Sequence, residues 1–586
     1  MSKYDFMNKN TVAPVPASAP IPGKEHQMVL NEAGGYAFPA SGLTMLRRFL
    51  ILGTTDNQYY ADKRTLTLSA VDAITAYLKE NLGDAMKELC EISASNRAIS
   101  NSPAIYLLAH IFSAGVPRWT SAAKAAMPQV IRTGAHLQEF TSYMRSKHKT
   151  GRAIRTAFEA WLEGKADQDL MYQMLKYGNR SGYSWADMFA LLHPRPKGDL
   201  RSAMYLWARF GGFPTAEYLS NSGKRMSLEQ AESTLRTAQK AWNKDPAFAQ
   251  AKASKELSNL TKEEVDELGD FTLVTAIRTH RLTHEMVTSS PLFARNKSVG
   301  WATLAEKMPA HALLRSLNAL SANEALNKEL EASIVSFLTD KEALKKAKIH
   351  PMNLLKTWWV YKQGKGIKGS LTWTPNASVV AALAKGFEIS VQIQEPLKGR
   401  ILLAVDVSGS MQYGEVPGMP FMTPSVVAAA YAHVLLRGCE HPEVMYFDYK
   451  DAAHWSHRTQ HTSNGYTLVT SKLKLCATLA DTIAFAANFG GGGTDCSIPV
   501  GYALENKKKF DLFVMFTDGE SWAGNHAASV LKQYREQVNP DARVVYCTTA
   551  PYGTVLTDPG DVRALDIVGF DPNAAALIGE FHQGNL

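Results

Sequence analysis

Cysteine is scarce in this chain, with five residues among 586. The five are odd in number, widely spread and without a C-x-x-C pair, which excludes a disulfide scaffold and gives no sign of structural zinc or a dithiol redox site. We interpret them as reduced thiols and expect a cytoplasmic protein.

Long apolar runs are also missing. No stretch approaches the roughly 18 uninterrupted apolar residues that a membrane-spanning helix needs, and the first residues lack the basic and apolar regions of a secretory signal. The 45% hydrophobic and 20% charged composition is that of a globular protein and excludes collagen-like and wholly disordered classes. We therefore expect a soluble, unexported protein without a membrane partner.

The net charge of +8 is distributed unevenly. Residues 398–586 contain 14 Lys and Arg against 19 Asp and Glu, so that the first 397 residues carry the basic excess. A field of one sign concentrates ligands of the opposite sign, and the commonest polyanion partner of a basic module is nucleic acid. The alternative is an ordinary solvated surface of Lys and Arg side chains.

Three regions follow from the patterning. Residues 1–25 are rich in proline, which favours extended backbone and removes hydrogen-bond donors, so a disordered leader is expected. In residues 26–397 the apolar spacing predicts successive amphipathic helices, for example 152–163, separated by short turns. Such a succession predicts an array of helix pairs. Within this region, residues 221–268 have few large apolar side chains and predict exposed helices or a mobile excursion.

Residues 398–586 change to short buried strands alternating with helices. The runs 401–405, 444–447, 512–516 and 544–547 are continuously apolar, with helical patterns between them. Such strands predict a parallel sheet covered by helices on both faces, a doubly wound α/β domain.

Oxygen-bearing side chains follow two of these strands. Asp406, Ser408 and Ser410 come after the first, Asp518 comes after the third, and Thr494 follows a run of glycines. Ligands bind at the carboxyl ends of parallel strands, and hard oxygens suit Mg²⁺. This D-x-S-x-S pattern with its later Thr and Asp resembles the metal-ion-dependent adhesion site of von Willebrand factor A domains. The alternative is that these groups only cap loops and helix N-termini. For Asp495 we expect either such a cap or a group that supports the metal ligands without touching the metal.

Cations interleaved with aromatic side chains occur in the basic region. Arg152 and Arg155 lie in a segment without acidic residues, and Lys176, Arg180 and His193 follow among Tyr and Trp. RNA is commonly bound by such stacking and phosphate contacts. The alternative is structural: Trp185 and Phe189 have core spacing, His193 ends a helix, and the cations are solvated.

The whole chain resembles the Ro autoantigen (TROVE domain) family. The resemblance rests on Leu46-Arg-Arg-Phe-Leu50, Gly151-Arg-Ala-Ile-Arg155, Lys176 to His193, Met308-Pro with Ala312-Leu-Leu-Arg315, and Leu402 to Met411. It implies a closed ring of HEAT-like α-helical repeats, residues 26–397, joined to a von Willebrand factor A domain, residues 398–586. Residues 221–268 do not match the family pattern, and Gly409 stands where other members carry Ala.

The resemblance also implies a function. Members of the family bind small noncoding Y RNA on the outer surface and single-stranded 3′ ends of misfolded RNA in the central hole. Bacterial members act as scaffolds that deliver RNA to an exoribonuclease. Lys176, Arg180 and His193 match residues associated with Y RNA binding, and Arg152 and Arg155 lie in a matching basic segment. We expect a non-enzymatic protein that is monomeric outside its ribonucleoprotein complexes.

A rival hypothesis is a metal-dependent protein-interaction scaffold in which the α/β domain captures an acidic partner. A hydrolase is disfavoured because Ser408 lacks the G-x-S-x-G nucleophile elbow and has no adjacent histidine base.

Overall fold

The computed structural model describes residues 14–53, 63–95, 97–98, 100–147, 151–221, 226–366, 370–391, 397–416, 419, 422–449, 460–461, 467–469, 478–488, 491–569, 571 and 573–585. The chain forms two compact units. We call residues 1–103, 338–358 and 381–586 the α/β unit, and residues 104–337 and 359–380 the helical unit.

Helices dominate the chain up to residue 391. In chain order, α1 to α23 are Gly42–Leu52, Lys63–Glu80, Leu82–Ala94, Ser102–Ser113, Pro117–Val130, Gly134–Ser146, Arg152–Glu163, Asp167–Lys176, Trp185–Leu192, Gly198–Phe210, Ala216–Asn221, Leu228–Lys244, Ala249–Ser258, Lys262–Glu267, Asp270–His280, His284–Val287, Pro291–Arg295, Lys297–Ala305, Ala310–Ala322, Lys328–Thr339, Lys341–Lys346, Pro351–Lys362 and Ala377–Val391.

Amphipathic spacing explains how the helices of the helical unit pack. On α7, Ile154, Phe158 and Trp161 are buried, and the rings of Phe158 and Trp161 meet Phe189 and Trp185 of α9 at 6.0 and 6.4 Å. A stripe of apolar residues three and four positions apart lies on one face of a helix and leaves the other face to solvent. The predicted core positions of Trp185 and Phe189 are confirmed.

Residues 226–268 are helical, so the alternative of a mobile excursion is wrong for this described part. They form α12 to α14, with a capping box at Ser227 that starts α12. Ala231 and Leu235 pack in one apolar cluster, and Leu257 and Val265 pack in another. These few apolar side chains therefore anchor the helices to the rest of the unit.

Twelve strands occur in the described residues. In chain order, β1 to β12 are Val29–Leu30, Tyr36–Pro39, Asn179–Arg180, Tyr183–Ser184, Leu397–Asp406, Cys439–Phe447, Gln460–His461, Thr467–Val469, Leu512–Thr517, Arg543–Thr548, Thr554–Val555 and Ala564–Val568.

The main sheet of the α/β unit has the order β12-β10-β9-β5-β6-β8-β7. The first five strands are parallel, and β8 and β7 are added antiparallel at one edge. The helices α24 to α29 that accompany it are Gly409–Gln412, Pro424–Leu435, Leu479–Asn488, Ile498–Glu505, Ala527–Gln537 and Ala574–Gln583. The predicted fold class, a helical array followed by a doubly wound α/β domain, is confirmed. The continuously apolar strands are buried on both faces, as a covered parallel sheet requires.

Residues 14–25 pack within the α/β unit, whereas the sequence predicted a disordered leader here. Pro16 bridges Asn525, the amide of Val15 donates to Ser529 Oγ, and β2 pairs with β11. Proline has no N–H group and therefore leaves no donor unpaired. A Pro-rich segment can lie extended along a surface, where its other backbone N–H and C=O groups form hydrogen bonds. Residues 1–13 of the predicted leader lie outside the described residues.

Two smaller expectations concern cysteines and membranes. Cys90, Cys439, Cys496 and Cys547 are free thiols, and Cys476 lies outside the described residues. In the part of the chain that the structure describes, the helices are too short or too polar to cross a bilayer.

Candidate functional site

Arg152 and Arg155 lie at the start of α7. Both side chains are exposed, while the opposite face of the helix is buried. The first turn of α7 contains no acidic residue. These two guanidinium groups are therefore free of a neighbouring carboxylate on their own turn, and each can meet a phosphate.

Lys176 is the last residue of α8 and is only partly exposed. Its ammonium receives support from two tyrosines, with Nζ 3.0 Å from the Tyr172 hydroxyl and 5.6 Å from the centre of the Tyr177 ring. Burial opposes its charge, but the hydrogen bond to Tyr172 and the interactions with Tyr177 and Glu285 outweigh burial and raise the pKa of Lys176. The side chain is thus a positioned cation at neutral pH.

Arg180 is carried by a two-stranded hairpin formed by β3 and β4. Ser181 and Gly182 both have positive φ, 53° and 78°, which is the backbone of a tight hairpin turn. Arg180 is exposed, and its Nη1 donates to the carbonyl of Asn179 at 2.8 Å. The turn therefore presents this guanidinium to solvent.

His193 ends α9, as the structural alternative predicted. It is exposed and adopts the left-handed conformation, with φ 46°, at the C-cap position. The next residues return to α7, where the amide of Arg195 donates to Glu159 at 3.0 Å. Capping and surface display are compatible in one residue, because the cap uses the backbone of His193 while its ring is exposed.

All five predicted RNA-binding residues lie in the helical unit, on consecutive elements from α7 to α9. Four are exposed: Arg152, Arg155, Arg180 and His193. Lys176 and Arg180 both oppose the protonation of His284. These residues can neutralise phosphates through several point contacts. The aromatic residues that pack α7 against α9, in edge-on and tilted pairs, hold the supporting helices in place.

The predicted metal residues meet at the carboxyl ends of β5 and β9. Asp406 is fully buried, and its Oδ1 accepts the amide of Ser408 at 2.9 Å. Thr517 Oγ1 donates to Asp406 Oδ2 at 2.7 Å, and the hydroxyls of Ser408 and Ser410 lie 3.2 Å apart. The alternating loop pattern therefore brings oxygen atoms of Asp406, Ser408 and Ser410 to one place.

Asp518 and Thr494 complete the set. Ser410 hydrogen-bonds the carboxylate of Asp518, which is buried, and the Thr494 hydroxyl is buried without a hydrogen-bond partner among the described residues. Burial and the charge of Asp518 raise the pKa of Asp406. Two buried carboxylates in one pocket repel one another, and a cation between them would relieve that repulsion.

The donor set fits a hard cation. It combines two carboxylates with three hydroxyls, which are the oxygen ligands that Mg²⁺ accepts, and the unsatisfied Thr494 hydroxyl is a buried atom that lacks a partner. Among the described residues, no group of three or more His, Cys, Asp and Glu side chains could hold a metal, so the hydroxyls are essential to this interpretation. Asp495 Oδ1 accepts hydrogen bonds from the backbone amide and the hydroxyl of Ser497, which is consistent with the capping alternative.

Two features of this pocket escaped sequence reasoning. Thr517 positions Asp406, and its only sequence signal is its place between a buried strand and Asp518. Glu520 is buried nearby and accepts the amide of Ala33, a residue 487 positions earlier in the chain. Gly409, in contrast, needs no special explanation, since an added Cβ would make an ordinary contact 3.4 Å from the carbonyl of Gly492.

Both the helical region and the C-terminal α/β region of the chain match known protein families. Residues 29–358 match the TROVE domain, and residues 400–582 match the Ro60 vWA domain. The chain is 30% identical to RNA-binding protein RO60 of Caenorhabditis elegans, covering 95% of this chain and 90% of the relative. It is 29% identical to RNA-binding protein RO60 of Deinococcus radiodurans, covering 96% of each.

A solved structure shows the same likeness. The crystal structure of Deinococcus radiodurans RO (RSR) protein matches with a TM-score of 0.62 and 27% identity, covering 93% of this chain and 100% of that one. With the family model spanning residues 29–358 and the helical and α/β regions both in place, this chain belongs to the TROVE-domain Ro family.

Proposed function

We propose that this protein binds RNA and catalyses no reaction. It holds small noncoding Y RNA through the five residues on α7 to α9, binds unpaired 3′ ends of misfolded RNA, and serves as a scaffold for an exoribonuclease in the cytoplasm. The observation that carries the proposal is the display of Arg152, Arg155, Arg180 and His193 on consecutive elements of one unit. The relatives named RNA-binding protein support it.

The test replaces Lys176, Arg180 and His193 together with Ala and measures binding to Y RNA by filter retention. Charge-assisted contacts of roughly 1.5–3 kcal/mol each predict a loss of at least a hundredfold in affinity. The matched control is Arg236→Ala with Lys240→Ala on α12, exposed cations that should leave affinity within about twofold. Equal affinity of the triple variant and the wild type, with unchanged circular dichroism, contradicts the assigned surface.

We also propose that Asp406, Ser408, Ser410, Thr494 and Asp518 hold Mg²⁺. When bound, the cation would supply an electrophilic site for an oxygen ligand of a partner. The protein's own residues arrange the oxygens and exclude bulk water by burial. The buried Thr494 hydroxyl supports this assignment.

Metal removal tests it. Because a ligand that binds only the folded state stabilises that state, Mg²⁺ should raise the unfolding temperature of the wild type and EDTA should lower it, by a few degrees. Ser410→Ala should lose this difference, whereas Ser529→Ala, outside the pocket, should keep it. A wild type that unfolds at the same temperature in both solutions contradicts the metal site.

The rival function, a metal-dependent scaffold for an acidic protein, makes a different prediction. Protein purified without nuclease should carry nucleic acid, seen in its absorbance ratio, if it binds RNA. A protein partner that is released by chelator, with no nucleic acid present, favours the rival instead.

A further inference from the structure

A cavity of about 760 Å³ lies in the helical unit beside Lys176. Its walls come from α8, α15, α16 and the segment that leads into α19. The Met308-Pro309 and Ala312 to Arg315 motif that the sequence resemblance singled out forms part of this wall. A volume of this size falls in the range of sites for small organic ligands.

The cavity is positive. Five of its lining residues are basic, Lys176, Arg278, Arg281, Lys307 and Arg315, against three acidic ones, Asp169, Glu285 and Glu306. One of the acids is engaged by a cation, since Glu306 lies 2.6 Å from Arg278. Glu285 lies 3.1 Å from His284 Nδ1, but a neutral imidazole does not balance its charge. Four other cations therefore face Glu285 and Asp169. The remaining excess of cations favours an anionic group such as a phosphate.

The same cavity also has features that suit a planar ring. His284 lines it, and the imidazole is stacked on Trp301, with the ring centres 5.9 Å apart and the planes 27° apart. Burial lowers the pKa of His284. Glu285 acts in the opposite direction, but burial together with the charges of Arg315, Lys176 and Arg180 outweighs it, so the imidazole is neutral at pH 7. A neutral imidazole held against an indole is a rigid surface for stacking by a base.

An unsatisfied polar atom lies at the same place. The hydroxyl of Thr283 is buried and has no hydrogen-bond partner among the described residues, although Thr283 lines the cavity. A buried hydroxyl without a hydrogen-bond partner destabilises the protein, and a ligand with a polar edge would satisfy it. A nucleobase has both the polar edge and the stacking face.

We propose that this cavity holds one unpaired nucleotide of the bound RNA, with its phosphate toward Lys176 and Arg315 and its base against His284 and Thr283. The inference rests on the proposed function, because Lys176 belongs to both the RNA surface and the cavity. It adds recognition of an extruded base to the phosphate contacts made by the exposed cations.

The experiment compares two RNAs, one with a single unpaired nucleotide in a stem and one fully paired. Loss of base stacking predicts that His284→Ala binds the first RNA roughly tenfold more weakly and the second unchanged. His284→Phe keeps a stacking ring and should retain most of the affinity for the first RNA. His441→Ala, an exposed histidine of β6 in the other unit, is the matched control and should bind both RNAs as the wild type does.

The outcomes separate the two proposals. If the wild type binds neither RNA, the proposed function fails; if it binds both and His284→Ala binds both equally well, only the nucleotide site fails. Binding of free AMP shows whether the ligand is part of RNA or a free nucleotide. If the cavity binds a nucleotide of RNA, we expect free AMP to bind only with millimolar affinity. Micromolar AMP binding that depends on His284, with RNA affinity unaffected by His284→Ala, would assign the cavity to a free nucleotide and overturn the proposal.

Discussion

At the scale of single residues, Arg48 is a charged side chain that is almost completely buried in the α/β unit. Its side chain is 1% exposed, and Nη1 donates to the carbonyls of Tyr552 and Thr554 at 2.6 and 2.7 Å. Nη2 donates to Asp566 at 2.8 Å and to Thr548 at 3.0 Å. This one guanidinium joins α1 to three parts of the C-terminal region.

Replacing Arg48 with Met should lower the free energy of unfolding by about 3–5 kcal/mol, because Asp566 is left buried without its counter-charge. The neighbouring Arg47 is 44% exposed and pairs with Glu88, so Arg47→Met should cost less than about 1 kcal/mol. Urea denaturation monitored by fluorescence compares the two variants. Similar losses for both would contradict this assignment.

The pH dependence of the Arg48 variant has a definite sign. Burial raises the pKa of Asp566, and Arg48 opposes that rise. A carboxyl whose pKa is higher in the folded state contributes stability at low pH and loses it as pH rises through that pKa. The stability gap between wild type and Arg48→Met should therefore widen from pH 4 toward pH 7.

At the scale of elements, the hairpin and α9 act as one support for Arg180 and His193. Ser184 ends β4 and caps α9, accepting the amide of Asp187 at 3.1 Å, while Asp187 accepts the amide of Ser184 at 2.8 Å. A reciprocal capping box fixes the angle at which the chain enters a helix. The positions of Arg180 and His193, which we propose to bind RNA, depend on it.

Ser184→Ala should lower the free energy of unfolding by about 1 kcal/mol and weaken Y RNA binding by a few fold. Hydrogen bonds from the side chain and the backbone of Ser184 lower the pKa of Asp187. That contribution is present above the ordinary pKa of an aspartate and is lost as pH falls through the lowered value. The stability difference between wild type and Ser184→Ala should shrink in acid, and a constant difference from pH 7 to pH 3 would count against the capping role.

The elements also show what a sequence can and cannot predict. The strands β5 and β9 were predictable because continuous apolar runs are typical of the strands of a covered parallel sheet. The helix α7 was predictable because its apolar residues recur three and four positions apart, as on one face of a helix. The proximity of Asp406 and Asp518 was predictable for the same reason, since both follow strands of one parallel sheet. That they hold a metal stays a prediction. The role of Arg48 was not predictable, because its partners lie about 500 residues away and no local pattern encodes them. The cavity beside Lys176 escaped likewise, since distant helices supply its walls.

At the scale of the whole molecule, the uneven charge has a measurable consequence. RNA binding releases counterions, so the logarithm of affinity should fall linearly with the logarithm of salt concentration. Removing Lys176 and Arg180 should reduce the magnitude of that slope by about two, one for each cation. A titration from 50 to 400 mM KCl measures it. Affinity that does not depend on salt would speak against phosphate contacts and for the protein-scaffold rival.

The pairing of β2 with β11 affects how the chain folds while it is being synthesised. Phe38 of β2 is opposite Val555, and Lys24 forms an ion pair with Asp558. A ribosome synthesises these partners more than 500 residues apart, so the N-terminal strand emerges long before its mate exists. The α/β unit therefore finishes folding only after nearly all of the chain has been translated, and nascent chains that stop early leave an unpaired strand edge for chaperones to shield.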